Sequence, residues 1–245
     1  MSSVVIFRAR HVLIAMGLVA TFLGNASAAP NTLTVKGARP VANAIEELEK
    51  RYGWQITYED LPYGDMGDMV DVVQAPGAKP RTVPKWSLSF TLPSAGQDQA
   101  NAVGALVKTY NASGGGNLFA VVHGARLLHV IPRKVRGLSG TVKPVLDTVI
   151  TVEPKERTSE ELLDEICTKV SIGANTRVGA GTIPLNMFEG TKTSIGGSGR
   201  TARSILERLI VETGTRLSLS WRLFYGPDDK GYALNISWVM PVDKQ

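Results

Sequence analysis

The chain is poor in the residues that build inorganic centres: its 245 residues include one cysteine, Cys167, and three histidines. A single thiol excludes an internal disulfide framework, a cysteine-built zinc site and an iron–sulfur cluster held by four thiolates. Long apolar runs are also missing. The longest, Val12 to Leu23, falls short of the roughly 20 residues needed to cross a ~30 Å hydrocarbon core. Nothing after Leu23 comes closer, and no succession of amphipathic strands suggests an outer-membrane barrel. Glycine (25) and proline (13) stay below the collagen-like or low-complexity range, and 43% hydrophobic residues exceed what disordered chains carry. The chain therefore folds, and its length allows one large or two small domains.

Arg8 and Arg10 precede the Val12–Leu23 run, and Ala26-Ser27-Ala28 supplies small residues where a signal peptidase reads. The expectation is a cleavable signal peptide over residues 1–28, a mature protein starting near Ala29, and a periplasmic or secreted location. No cysteine near the cleavage point offers a lipid anchor. Removing residues 1–28 takes away Arg8 and Arg10 and no acid, so 25 basic residues face 22 acidic ones and the net charge falls from +5 to +3. That excess is small and unclustered, which argues against nucleic acid as a partner. Cys167 shares a helix face with Leu163, Ile166 and Val170, which predicts burial rather than reactivity.

Periodicity predicts a strand at Leu33–Val35, then a helix opened by Pro40, with Val41, Ile45, Leu48 and Tyr52 on one face and Gly53 as its stop. A strand over Trp54–Tyr58 follows, and the polar, Gly- and Pro-rich passage 60–84 reads as a long loop. Trp86, Leu88 and Phe90 alternate on one strand face. A second helix carries Val103, Leu106, Val107 and Tyr110 and stops at Gly114-Gly115-Gly116. Phe119–Val122 and Leu127–Ile131 form a hairpin whose Gly124-Ala125 turn suits type II′, setting His123 opposite Arg126 and His129 opposite Ala120.

The same order then recurs. A strand at Val149–Val152 leads to Thr158, which caps a helix in a capping box with Glu161. After the stretch 179–190 come a short strand at Lys192–Ile195 and a helix from Thr201 carrying Ala202, Ile205, Leu206, Leu209 and Ile210, ended by Gly214. A hairpin closes the chain: Leu217, Leu219, Trp221, Leu223 and Tyr225 alternate, residues 226–231 turn, and Tyr232, Leu234, Ile236, Trp238 and Met240 alternate back. Both halves read β-α-β-β-α-β-β. Leu33-Thr34-Val35 echoes Ile150-Thr151-Val152, and His129-Val130-Ile131-Pro132 echoes Trp238-Val239-Met240-Pro241. The expectation is an internal duplication: a first α+β domain at 29–132, a linker at 133–147 and a second α+β domain at 148–245.

The segment Arg39-Pro40-Val41-Ala42-Asn43-Ala44-Ile45-Glu46-Glu47-Leu48-Glu49, followed by Tyr52-Gly53-Trp54-Gln55-Ile56-Thr57-Tyr58, resembles the short N-terminal domain shared by secretins and TonB-dependent transducers, the STN or N0-like domain. Thr201 through Gly214 resembles that family's second helix with its following hairpin. The resemblance implies a β-α-β-β-α-β-β fold in tandem and a periplasmic docking role beside a secretin, a TonB-linked protein or another secretion component. In the family the domain stands once, ahead of a channel or barrel, whereas here it stands twice with no channel. No residue inherits a catalytic, cofactor or metal role.

Local motifs for chemistry are weak. Ser194-Ile195-Gly196-Gly197-Ser198-Gly199-Arg200-Thr201 has Ser194 and Arg200 where a phosphate loop needs Gly and Lys, so the glycines are expected to turn the chain into the helix. His123 and His129 lack the third ligand of a zinc site and are expected at or near the surface. No Gly-x-Ser-x-Gly elbow is present. Asp60, Asp65, Asp68 and Asp71 recur every third position or wider without the closing Glu of a calcium loop, and read as a solvated acidic loop. Trp86, Trp221 and Trp238 are expected in sheet packing, with an exposed one serving as an interface hot spot. The reading is an exported, non-enzymatic cell-envelope docking or scaffold protein without cofactor. The alternatives are an envelope hydrolase using paired carboxylates, or a small-ligand binder between the two domains.

Overall fold

The computed structural model describes residues 32–37, 39–62, 69–72, 81–84, 86–93, 97–114, 118–134, 140–214 and 217–240. The expected signal peptide, Asp65 and Asp68 lie outside these residues. The fold is α+β. The first half contains β1 (Thr32–Gly37), α1 (Pro40–Tyr52), β2 (Ile56–Glu59), β3 (Met69–Val72), β4 (Arg81–Pro84), β5 (Trp86–Thr91), α2 (Gln99–Gly114), β6 (Phe119–His123) and β7 (Leu128–Pro132). The second contains β8 (Val149–Val152), β9 (Arg157–Thr158), α3 (Ser159–Ala174), β10 (Arg177–Ala180), α4 (Leu185–Gly190), β11 (Lys192–Thr193), β12 (Gly197–Thr201), α5 (Ala202–Thr213), β13 (Leu219–Gly226) and β14 (Gly231–Trp238).

Local chemistry explains the helices. Pro40 opens α1 and Gly53 closes it at φ 68°, a left-handed cap that costs glycine little. Thr158 and Glu161 form the full capping box: Thr158 Oγ1 accepts from the Glu161 N–H at 3.1 Å, and Glu161 Oε2 from the Thr158 N–H at 2.7 Å. Thr158→Ala is expected to cost about 1 kcal/mol, read as a lower urea midpoint, while Thr158→Ser keeps most of the stability. The apolar stripes lie inward as their spacing requires, and Cys167 is buried with its thiol pushed up to about 12 by desolvation.

The two halves follow one pairing scheme. β1 pairs antiparallel with β5, and β8 with β12. β2 runs parallel to β7, which pairs antiparallel with β6; likewise β10 runs parallel to β14, which pairs antiparallel with β13. Side chains repeat the scheme. Thr34 meets Ser89 at 2.8 Å across β1 and β5, and Thr151 meets Ser198 at 3.4 Å across β8 and β12. Gly53 and Asn175 are both left-handed C-caps. One helical turn before each, Glu49 accepts the N–H of Ile56 and Ser171 that of Val178. The first sequence echo therefore marks equivalent strands. The second does not: the hairpin turns place Leu128 where Tyr232 stands, so Trp238 lies beyond the equivalent of Pro132.

The two three-stranded units join edge to edge. Parallel pairing of β13 with β2 makes one six-stranded sheet, β10-β14-β13-β2-β7-β6. The register Arg222↔Tyr58 and Leu223↔Glu59 fixes which faces meet. Tyr58 faces a core built on α1 and α2, while Leu223 faces a core built on α3 and α5. Cross-strand partners share a face, so the two helix layers cover opposite faces of the sheet. Along the order above, β10 and β14 run one way, β13, β2 and β7 the other, and β6 back again. A half-turn about an axis lying across the strands, plus a translation, thus carries the second unit onto the first. From Asn31 on, the chain forms one compact unit.

Several expectations need correction. The C-terminal end of the expected linker 133–147 is built in: Leu146 is fully buried in the α3/α5 core, Asp147 bonds Arg203 of α5, and the Val145 N–H bonds Glu59 across the join. The strand expected at Trp54–Tyr58 starts at Ile56. Within 60–84, β3 and β4 form a hairpin. The glycine motif does lead into α5, and it does so as an irregular strand: β12 pairs with β8, its register shifts between Gly197 and Arg200 around left-handed Gly199, and Thr201 caps the helix. α4 had no separate sequence signal, and β10 is the strand that the repeated order places after α3. In the β6–β7 hairpin the turn falls on Ala125-Arg126, so His123 faces Leu128 and His129 faces Val122. No residue from Gly124 to Leu127 has positive φ, so the expected primed turn does not form. The reason lies on the neighbouring helix.

Candidate functional site

The polar groups concentrate where the halves meet. Glu59 ends β2 with no exposed surface, between the layers of α5 and the turn at 145–147. Arg203, in the first turn of α5, donates through Nη2 to Glu59 Oε2 at 2.5 Å and through Nε to Asp147 Oδ1 at 2.9 Å. The Val145 N–H completes the Glu59 shell. Burial raises the Glu59 carboxyl above its ordinary value, against the opposing pull of Arg203. On the opposite face of the sheet, Asp60 accepts from Arg39 Nε at 2.6 Å, the Tyr58 hydroxyl at 2.8 Å and the Tyr225 N–H at 3.2 Å. Arg39 also donates to the Tyr225 carbonyl at 2.6 Å and lies over the Phe224 ring. It holds a left-handed conformation at φ 56°, unusual for a residue with a Cβ. A third pair, Glu49 with Arg222, ties α1 to β13.

One turn after Arg203, Glu207 reaches back to the β6–β7 hairpin. Its carboxylate accepts from the backbone N–H groups of Ala125 (3.1 Å), Arg126 (2.6 Å) and Leu127 (2.9 Å). Three donors converging on one anion impose a concave backbone, which displaces the turn predicted from Gly124-Ala125. Burial pushes the Glu207 carboxyl up, but these donors and His129 outweigh it and the net shift is down. His129 is buried rather than at the surface. Its Nδ1 lies 2.7 Å from Thr57 Oγ1, its Nε2 3.7 Å from Glu207, and its ring centroid 5.2 Å from that of Trp221.

His129 is pushed down to about 4, first by burial and then by the positive charge of Arg203, with Glu207 and Asp147 opposing. The imidazole is thus neutral in the folded protein at neutral pH, whereas the unfolded chain takes up a proton near pH 6.5. Between those values the unfolded state binds more protons, so stability is whole above about pH 6.5 and falls as the pH drops towards 4. The slope is at most about 1.4 kcal/mol per pH unit. His129→Gln is expected to flatten melting temperature against pH over that window. A parallel curve for the variant would mean that another group governs it.

Each buried carboxylate of the cluster has its partner. Among the described residues, the buried carboxylates Glu49, Glu59 and Asp60 each face a guanidinium, and Glu207 faces backbone donors. Asp60 is therefore not part of a solvated acidic loop, and Asp71 belongs to β3. Among the described residues no group of three or more His, Cys, Asp or Glu side chains could hold a metal ion, and no helix is long and apolar enough to cross a membrane. Three shallow clefts flank this region. One of about 150 Å³ is lined by Arg177, Phe224, Asp229 and Tyr232, and two of about 250 Å³ lie on either side of Ala125-Arg126. His123 lines one of the latter and is exposed; Trp221 is fully buried, and Trp238 is 45% exposed.

Sequence reading missed Glu59, Arg203, Glu207 and Arg39. One signal was present: Arg203 and Glu207 are four apart beside the stripe Ala202, Ile205, Leu206, Leu209 and Ile210, a spacing that places both along one edge of the buried face. No protein family, curated protein or solved structure matches the chain.

Proposed function

We propose that the chain is an exported, non-enzymatic envelope protein, a periplasmic docking or scaffold module made of two tandem repeats of the secretin/TonB short-domain type. The observation that carries this reading is how the buried charge is used: Glu49, Glu59 and Asp60 of one half meet Arg222, Arg203 and the Tyr225 backbone of the other. Ionisable groups committed to holding two repeats rigidly together suit a scaffold, and they are poorly placed for acid–base turnover, which needs groups that reach a substrate. The repeated pairing scheme and the open strand edges at both ends of the sheet add support, since such edges accept a further strand.

Crosslinking the tagged protein in whole envelopes tests the reading. Stoichiometric capture of one secretin, TonB-linked protein or secretion component, reproduced with the two purified proteins, is the expected outcome. No such partner, together with activity on an envelope polymer or a ligand-induced rise in melting temperature, would replace the reading with the hydrolase or the ligand binder.

A further inference from the structure

The six-stranded sheet ends on strands that are topological copies of those that join in its middle. β13 and β2 form the central join; β6 is the counterpart of β13, and β10 the counterpart of β2. We propose that copies of this chain associate head to tail, β6 of one molecule pairing in parallel with β10 of the next, by repeating the internal β13–β2 join.

Backbone hydrogen bonding defines which groups are available. The bonds Gly124 N–H to Leu127 O and Arg133 N–H to Leu118 O show that even-numbered residues of β6 face β7. Phe119, Val121 and His123 therefore point their N–H and C=O groups outward. Asn111 takes both groups of Phe119, at 3.0 and 2.9 Å, and the described residues place no partner opposite Val121 or His123 on that side. On β10, Gly181 N–H bonds Leu234 O, so Gly179 and Gly181 face β14 while Val178 and Ala180 point outward. Ser171 takes both groups of Val178, at 2.9 and 3.0 Å, and Thr182, the counterpart of Asp60, gives its N–H to Asn235 Oδ1 at 2.9 Å, leaving Ala180 presented. The Ser171 bond is no barrier to pairing, because Glu49 makes the equivalent bond to Ile56 at the join that does form.

The internal join then supplies the register. Counting from the equivalent caps and turns, Leu223 corresponds to Val121, Arg222 to Ala120, Tyr58 to Ala180 and Glu59 to Gly181. Pairing of Arg222 with Tyr58 and Leu223 with Glu59 becomes pairing of Ala120 with Ala180 and Val121 with Gly181 between molecules. The strand directions also agree, since β6 and β10 both run opposite to β2. At the clamp positions the outer edges carry alanine and glycine in place of charge, so close approach of two copies buries no unpaired ion. It also gains no Arg–acid clamp, and the contact between copies is weaker than the internal one. The interface is heterologous, so it does not close on itself and leads to short open chains.

Val121→Pro and Ala180→Pro each delete one outward N–H that makes no bond among the described residues, so the fold is expected to be retained; His123→Pro offers a second test of the β6 edge. By sedimentation, the purified protein is expected to gain weight-average mass with concentration, while each single variant stays monomeric at about tenfold higher concentration with an unchanged melt. Mixing Val121→Pro, whose β10 is intact, with Ala180→Pro, whose β6 is intact, is expected to give a 1:1 dimer and nothing larger. A wild-type protein monomeric throughout, variants that associate like the wild type, or a mixture that stays monomeric would each overturn the proposal. It stands independently of the docking reading, whose test is capture of a different protein.

Discussion

Arg203→Ala lowers the unfolding free energy by about 3–5 kcal/mol, because Glu59, with no exposed surface, is left as a buried carboxylate without its cation. Asp147 contributes less to the loss, since its side chain is 33% exposed and water can solvate it. Chemical denaturation at neutral pH measures the effect. The control is Arg203→Met with Glu59→Leu, which removes both charges and keeps the volume. It is expected to recover at least about half of the lost stability, short of full recovery because Val145 loses its acceptor. If the double variant is as unstable as Arg203→Ala, packing rather than charge is what Arg203 contributes.

Trp221→Ala is expected to cost about 3–5 kcal/mol as well, by a different mechanism: the indole is fully buried in the α3/α5 core, and its removal leaves a cavity beside His129. The second effect is the diagnostic one. Burial is the leading cause of the low His129 value, so opening the site lets the imidazole titrate upward from about 4 towards 6.5. An NMR titration of the His129 ring reads this directly. Trp221→Phe, which keeps most of the cover, is expected to hold the ring near its native value. An unmoved titration in Trp221→Ala would assign the shift to Arg203 instead.

Helices and hairpins were legible because each is dictated locally. Pro40 and Gly53 bracket α1, Thr158 with Glu161 starts α3, and alternation over Leu219–Tyr225 and Tyr232–Ile236 writes β13 and β14. The order of helices and strands within each half was legible for the same reason. What joins the halves was not. Asp60 read as the start of a polar loop and Glu59 went unassigned, because their partners Tyr225 and Arg203 lie far along the chain and on opposite faces of the sheet. The β6–β7 turn was misplaced on the same ground: Gly124-Ala125 has the residues for a primed turn, but the carboxylate that reshapes it sits on α5. Local rules failed at the positions where one half answers the other. His129 shows the cost of reading composition alone, since a histidine on a short hairpin gives no hint of Trp221 above it.

The central join also sets an order of events during synthesis. Glu59 waits for Arg203, 144 residues downstream, and Asp60 for Tyr225, 165 residues downstream. At roughly 5–20 residues per second, the first half is made on the order of ten to thirty seconds before Glu59 gains its cation and the β2 edge gains β13. Contacts of such long sequence separation form late and slowly. The first half is therefore made before the strand that covers its β2 edge, and truncation anywhere before β13 is expected to leave that edge uncovered.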